Sequence, residues 1–272
     1  MRIVVLIKQV PDPLLPVSEL TVSPDGGKIL GPENVPPVVN GYDEQAMEAA
    51  LRIKAFRDGE CEIIALSAGD DFVLDVLQRS LVEADDLVLI EDESLDTSDP
   101  HHLARVLGAA IQRLGDVELV LGGRQASDWD HGQVPLALAE HLDWPCLTLA
   151  RAVRVDDTRV EVERVLSDGY QMMKCGLPAV VTVTSELGEL RYPTMQMRLQ
   201  ARRRRPVQVS LEDLQVGTDI DPEWRTLGVS MLEKTRDCRF IGPDDGAEAG
   251  RQLAAVLLEE GAIVSIQPGG GV

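Results

Sequence analysis

Aromatic side chains are nearly absent: Phe, Tyr and Trp number three each, 3% of the 272 residues. A core of this size must therefore be built from Val, Leu, Ile and Ala, a composition that suits buried parallel strands. Cysteine is scarce too. Cys61, Cys146, Cys175 and Cys238 lie far apart and no pair has CxxC spacing, which excludes a disulfide framework and a cysteine zinc site and leaves buried free thiols as the expectation. No apolar run approaches the roughly 18 residues that span a bilayer, and no N-terminal segment has the order of a signal peptide, so a cytoplasmic protein is expected. Positive charge is in short supply, with 26 Lys and Arg against 46 Asp and Glu for a net charge of −20. Such a surface repels nucleic acid and anionic membranes. One segment departs from this balance, since "MRLQARRRRP" groups Arg198 with Arg202 to Arg205; it reads as a solvated face or as a docking patch for an acidic partner or a phosphate.

What is present is a repeating order of strand and helix. "RIVVLIKQV" (2–10), "ECEIIALSAG" (60–69), "DDLVLIED" (85–92) and "VELVLGG" (117–123) read as buried strands. Between them lie helical patterns: "DEQAMEAALRIKAF" from Asp43, capped by Asn40 or Asp43; "FVLDVLQRSLV" (72–82); and "PHHLARVLGAAIQRL" (100–114), with Ser98 or Asp99 as N-cap. Alternation of this kind predicts right-handed βαβ units in a doubly wound parallel sheet of α/β class, Rossmann-like. Residues 11–41 are rich in Pro and Gly, with "SPDGGK" as a hairpin turn signal. After Pro145, "RAVRVDDTRVEVERV" alternates about the turn "DDT" and predicts an added antiparallel hairpin; "LPAVVTVTSEL" follows as another buried strand. The expected division is a nucleotide-binding α/β domain over 1–205 and a C-terminal arm over 206–272, with a last helix near "AGRQLAAVLLEEGA" and a loose tail "QPGGGV".

In an open parallel sheet, ligands bind beyond the carboxyl ends of the strands. Three segments should meet there: the loop after the first strand through "NGYD" (40–43), "LSAG" (66–69) and "GGRQASDWDHGQV" (122–134). Helix N-termini present unpaired N–H groups to an anion, and the glycines allow close backbone approach, so the constellation suits a nucleotide phosphate or pyrophosphate. A catalytic reading of Asp128, Asp130 and His131 lacks a nucleophile elbow and a second histidine at metal-ligand spacing. GxGxxG and Walker patterns are absent. Binding is the expectation, with no catalytic side chain and no metal.

These residues resemble the β subunit of electron transfer flavoproteins. The likeness is carried in order by "VVLIKQVPD", "NGYDEQAMEAALRIK", "LVLGGRQASDWDHGQVPLALAEHLDWP" and "DGYQMMKCGLPAVVTVTSELGELRYPTMQMRLQARRRRP". The resemblance implies a heterodimer with an FAD-bearing α subunit, carrying electrons from acyl-CoA or other flavin dehydrogenases to an acceptor such as a quinone reductase, ferredoxin or flavodoxin. NADH-oxidising bifurcation would belong only to the complex. The arm would pack on the α subunit. Family nucleotide contacts fall on Leu6, Asn40, Gly41, Tyr42, Asp43, Ala68, Gly123, Arg124, Gln125, Ala126, Ser127, Asp128, Asp130, His131, Gly132, Gln133 and Val134. Housekeeping members bind AMP and bifurcating members a second FAD. Arg124 and the apolar Val134 are nearer the bifurcating form, so FAD is expected over AMP, although Trp129, Asp130, His131 and Gly132 replace that form's "GDTA" and Pro135 its Gly. The family's partner-recognition loop corresponds to Arg191, Tyr192, Met195 and Met197, with Met195 in the place of an anchoring leucine. The alternative is a stand-alone adenine-nucleotide-binding regulatory protein of the same fold.

Overall fold

A computed structural model describes residues 1–24, 26–216, 224, 226–231, 238–242 and 245–263. Two compact units divide the chain, Met1–Ser230 and Met231–Val272. The first is built on nine strands: β1 (Arg2–Leu6), β2 (Glu62–Gly69), β3 (Asp86–Glu91), β4 (Val117–Gly123), β5 (Cys146–Val155), β6 (Arg159–Leu166), β7 (Gly169–Gly176), β8 (Ala179–Val183) and β9 (Val207–Val209). Their order in the sheet is β7-β6-β5-β8-β4-β1-β2-β3-β9. From β5 to β9 every neighbouring pair is parallel, whereas β5, β6 and β7 are joined antiparallel. The expected α/β class with an added hairpin is what the chain adopts.

The short strand β1 shows why. Ile3 and Val5 point to one face and Val4 to the other, all fully buried, because successive side chains alternate across a strand. Helix α1 (Gly41–Phe56) covers the first face with Ala46, Met47, Ala50 and Ile53. Helices α3 (Pro100–Leu114) and α4 (Val134–Leu142) cover the second with Ala104, Leu107, Ile111 and Leu138. A strand wedged between two helical layers has no polar face to spare. Each fully buried Ile or Leu contributes about 1.5–3 kcal/mol.

The expected starts and stops hold in part. Asp99 caps α3 by accepting the N–H groups of His101 and His102, with Pro100 behind it as the first helical residue. The apolar run of 72–82 breaks into α2 (Leu74–Leu77) and a 3₁₀ turn (Gln78–Val82). Arg204 from the arginine run reaches that turn, donating to the carbonyl oxygens of Leu81, Ala84 (2.7 Å) and Asp85 (2.8 Å). It thus serves as a cap for exposed carbonyls.

The chain beyond residue 205, expected to be an arm, first adds β9 to the sheet edge, pairing Val207–Val209 with Val88–Ile90. Ser210 then begins α6 (Leu211–Leu214) with a reciprocal capping box to Asp213. Helix α5 (Met195–Ala201) precedes both. In the second unit, α7 (Gly246–Glu259) forms where the last helix is expected, capped by Asp245. It buries no residue, and Leu253 and Leu258 stand exposed. The tail "QPGGGV" lies outside the described residues.

Candidate functional site

A cleft of about 950 Å³ opens beyond the carboxyl ends of β1, β2 and β4. Beside β1 the winding reverses, with α1 crossing to β2 over one face of the sheet and α3 crossing to β4 over the other. That is where an open α/β sheet leaves a crevice. The three expected segments meet in its wall: Leu6, Asn40 and Asp43; Ala68; and Gly123, Gln125, Ala126, Asp128, His131, Gly132, Gln133 and Val134. Gly41, Tyr42, Arg124, Ser127 and Asp130 stand behind this wall.

Asn40 and Asp43 hold the segments together. Asn40 donates through Nδ2 to the Gln125 carbonyl (2.9 Å) and accepts the Ser127 N–H at Oδ1 (3.2 Å). Asp43 accepts the Lys8 N–H (2.9 Å) and the Gly123 N–H (3.2 Å), one on each carboxyl oxygen. Neither side chain caps α1, the role its position suggests, because tertiary partners claim both. Asn40 is 1% exposed and Asp43 6%. Burial pushes the Asp43 carboxyl up to about 7, and hydrogen bonds from Asn40, Lys8 and Gly123 draw it back only in part.

The turn from Gly123 to Val134 is shaped by backbone demands. Asp130 takes φ +54° and Gly132 φ +62°, and a Cβ on Gly132 would stand 2.8 Å from the Arg124 carbonyl oxygen. The turn delivers the chain into α4, whose first residues are Val134 and Pro135. Lys8 Nζ pairs with Asp128 (2.6 Å), and Lys28 pairs with Asp70. Among the described residues these two lysines are the cations of the cleft wall, and no arginine joins them. Arg124 lies with its guanidinium 5.1 Å from the centre of the Tyr42 ring while its Nε donates to Gln125 (3.0 Å). The buried hydroxyl of Ser127 has no hydrogen-bond partner among the described residues. Burying a polar group unpaired costs about 1–3 kcal/mol.

The loop after β1, expected at this edge, fills much of the wall. The Pro-rich stretch supplies Pro11, Leu15 and residues 27–37 from a ribbon that pairs Thr21–Val22 with Ile29–Leu30, as the "SPDGGK" turn predicts. Sequence reasoning missed Leu95 to Ser98 and, from far along the chain, Thr226.

The residues expected to recognise a partner divide. Tyr192 is 93% and Met195 71% exposed, whereas Met197 is half-buried in a groove formed with Leu51, Val82 and Glu83. Arg191, itself exposed, folds onto α1. Its Nε and Nη2 donate to the Glu48 carboxylate, each at 2.9 Å, and Arg52 donates to the same group at 2.8 Å. Glu48 is 4% exposed; burial alone would raise its pKa, but the bonds from Arg191 and Arg52 outweigh it and hold the carboxyl below its usual range. Arg52 also donates to the Leu187 carbonyl (2.9 Å), so α1 staples both ends of the segment 187–191. Glu48→Gln removes the charge that holds the fork. We expect a loss of about 1–2 kcal/mol of stability and faster proteolysis near Tyr192, read by denaturant melts and limited digestion; unchanged digestion would show that the staple does not fix the loop.

Fold and cleft together define an α/β protein with a ligand site at the switch point of a doubly wound sheet. The Electron transfer flavoprotein domain family matches residues 30–213, and this chain belongs to that family. Its relatives place it among the β subunits. It is 35% identical over 193 residues to "Caffeyl-CoA reductase-Etf complex subunit CarD" of Acetobacterium woodii, covering 71% of each chain. It is 34% identical over 218 residues to "Electron transfer flavoprotein subunit beta" of Thermoanaerobacterium thermosaccharolyticum, 79% of this chain and 81% of the relative. Against the protein of that name from Mycobacterium bovis it is 30% identical over 266 residues, 95% and 98% of the two chains.

Proposed function

We propose that this chain is the β subunit of a heterodimeric electron transfer flavoprotein whose cleft holds FAD in preference to AMP. The observation that carries the reading is the 123–134 turn, which runs beside a cleft of about 950 Å³ into the N-terminus of α4. The volume lies at the upper end of the roughly 300–1,000 Å³ of ordinary ligand sites, ample for a dinucleotide. Helix α4 opens with Val134, which has no hydroxyl to close over a terminal phosphate, and Pro135, which has no N–H. A pyrophosphate can pass that entrance and continue along the cleft. Bound FAD would supply the redox chemistry. The polypeptide binds it, with the backbone of 123–134 toward phosphate, and keeps water from the cleft.

The partners follow the same reading. An α subunit bearing a further FAD would cover α7, whose Leu253 and Leu258 lie unburied on a helix rich in Ala, Val and Leu. The exposed Tyr192 and Met195 would dock a flavin dehydrogenase, and one relative's name joins such a subunit to an enzyme acting on a CoA thioester. Rim charges such as Arg198 and Arg202 would set the association rate more than the affinity. Co-expression with the cognate α subunit should give a yellow one-to-one complex whose flavin absorbance bleaches when an acyl-CoA dehydrogenase and its substrate are added. A β chain that stays monomeric and colourless beside its α subunit would overturn the assignment.

A further inference from the structure

The chain holds three tryptophans, and two of them gather at the cleft mouth around one of its four histidines. The Trp129 and His131 rings have their centres 5.7 Å apart with planes tilted by 40°, and those of His131 and Trp224 are 6.0 Å apart at 59°. Both separations fall in the 4.5–7 Å range of favourable aromatic pairs. Trp129 and His131 line the cleft. Trp224 reaches His131 from far along the chain. Its N–H donates to Asp99 (3.4 Å) at the start of α3, Thr226 joins the cleft wall, and Val229 donates to the Gly26 carbonyl (2.9 Å) at the ribbon turn.

Three rings in a row at these spacings leave no gap for a fourth ring between them. The outer face of Trp129, half-buried beside the cleft, is what a ligand can meet. A solvated protein gains little by holding Trp129 half-buried and His131 exposed at a polar mouth, since buried aromatics contribute far more. Against a planar heterocycle the same surface is a ready platform, stiffened from behind by Trp224.

We propose that Trp129 and His131, backed by Trp224, form a stacking subsite for the planar ring of the ligand, isoalloxazine or adenine. The inference rests on the nucleotide reading of the cleft and adds what sets its ring selectivity. Trp129 touches the ring; Trp224 is a positioning residue that acts through His131.

The test uses the heterodimer stripped of nucleotide and titrated separately with FAD, AMP and inorganic pyrophosphate. Trp129→Ala should weaken the nucleotide about tenfold, the usual worth of one base stacked on an aromatic side chain, and leave pyrophosphate affinity unchanged. Trp129→Phe should recover most of the loss, which separates stacking from misfolding. Trp224→Ala should weaken binding by a smaller factor and abolish the difference between the Phe and wild-type proteins. A loss for FAD with AMP unaffected assigns the platform to the flavin ring; a loss for both assigns it to adenine. Nucleotide affinity within twofold of wild type in Trp129→Ala overturns the subsite while leaving the nucleotide reading intact. A wild-type complex that binds neither FAD nor AMP overturns both.

Discussion

Gly123→Ala is expected to empty the cleft and lower the melting temperature by about 10 °C. Gly123 is fully enclosed at the end of β4, where a Cβ would lie 2.5 Å from Asp43 Oδ1, 2.6 Å from Tyr42 Cβ and 2.9 Å from the Tyr42 carbonyl carbon. The Tyr42 backbone belongs to the first turn of α1 and cannot step aside as a flexible side chain would. Either β4 retreats or α1 shifts, and both routes break the Gly123–Asp43 hydrogen bond. Overpacking costs about 1–3 kcal/mol and the lost hydrogen bond to the buried carboxyl about as much again. At roughly 2–4 °C per kcal/mol for a chain of this size, the sum gives the expected shift. Thermal melts and nucleotide content measure the two consequences. A variant that melts within 2 °C of wild type and keeps its nucleotide would show that the β4 terminus is not the rigid floor described above.

The second large effect belongs to Asp43. Its carboxyl titrates near 7 in the folded chain against 3.8 when unperturbed, because burial disfavours the charge. The folded state therefore binds more protons than the unfolded one between about pH 4 and pH 7. Stability falls as pH rises through that window, and above pH 7 the full penalty applies, up to about 4 kcal/mol. Asp43→Asn abolishes the titration. An amide has one acceptor oxygen and cannot accept from both Lys8 and Gly123, so the variant should lose about 1–3 kcal/mol at pH 5. At pH 8 the relief of the buried charge should offset that loss, so the difference between wild type and variant narrows as pH rises. Denaturant melts at the two pH values decide it, and a difference that widens toward pH 8 would mean the carboxylate is ionised and welcome in the folded protein.

Much of the first unit was legible because its signals are local. The β-branched run of β1, the Asp-Pro start of α3 and the Gly-Gly end of β4 each depend on neighbours a few residues away. Strand β7 was missed since most of it is exposed and carries no apolar alternation, and β9 because three residues hold no period. The site was legible in its backbone and opaque in its side-chain partners. Asn40 looks like a helix cap and instead bonds a turn 85 residues on; Lys8 finds Asp128 across 120 residues. Arg124, expected among the nucleotide contacts, is drawn to Tyr42, and Arg191, expected in the partner-recognition loop, is bound by Glu48. In each case a long side chain had two possible destinations, and only the folded geometry selects one.

The central claim, a β-subunit cleft that holds FAD, is tested most directly by releasing and quantifying the nucleotides of the purified heterodimer. The account predicts close to two FAD and little AMP per complex. One FAD with one AMP would contradict it, and would mean that Val134 and Pro135 do close the phosphate end of the site.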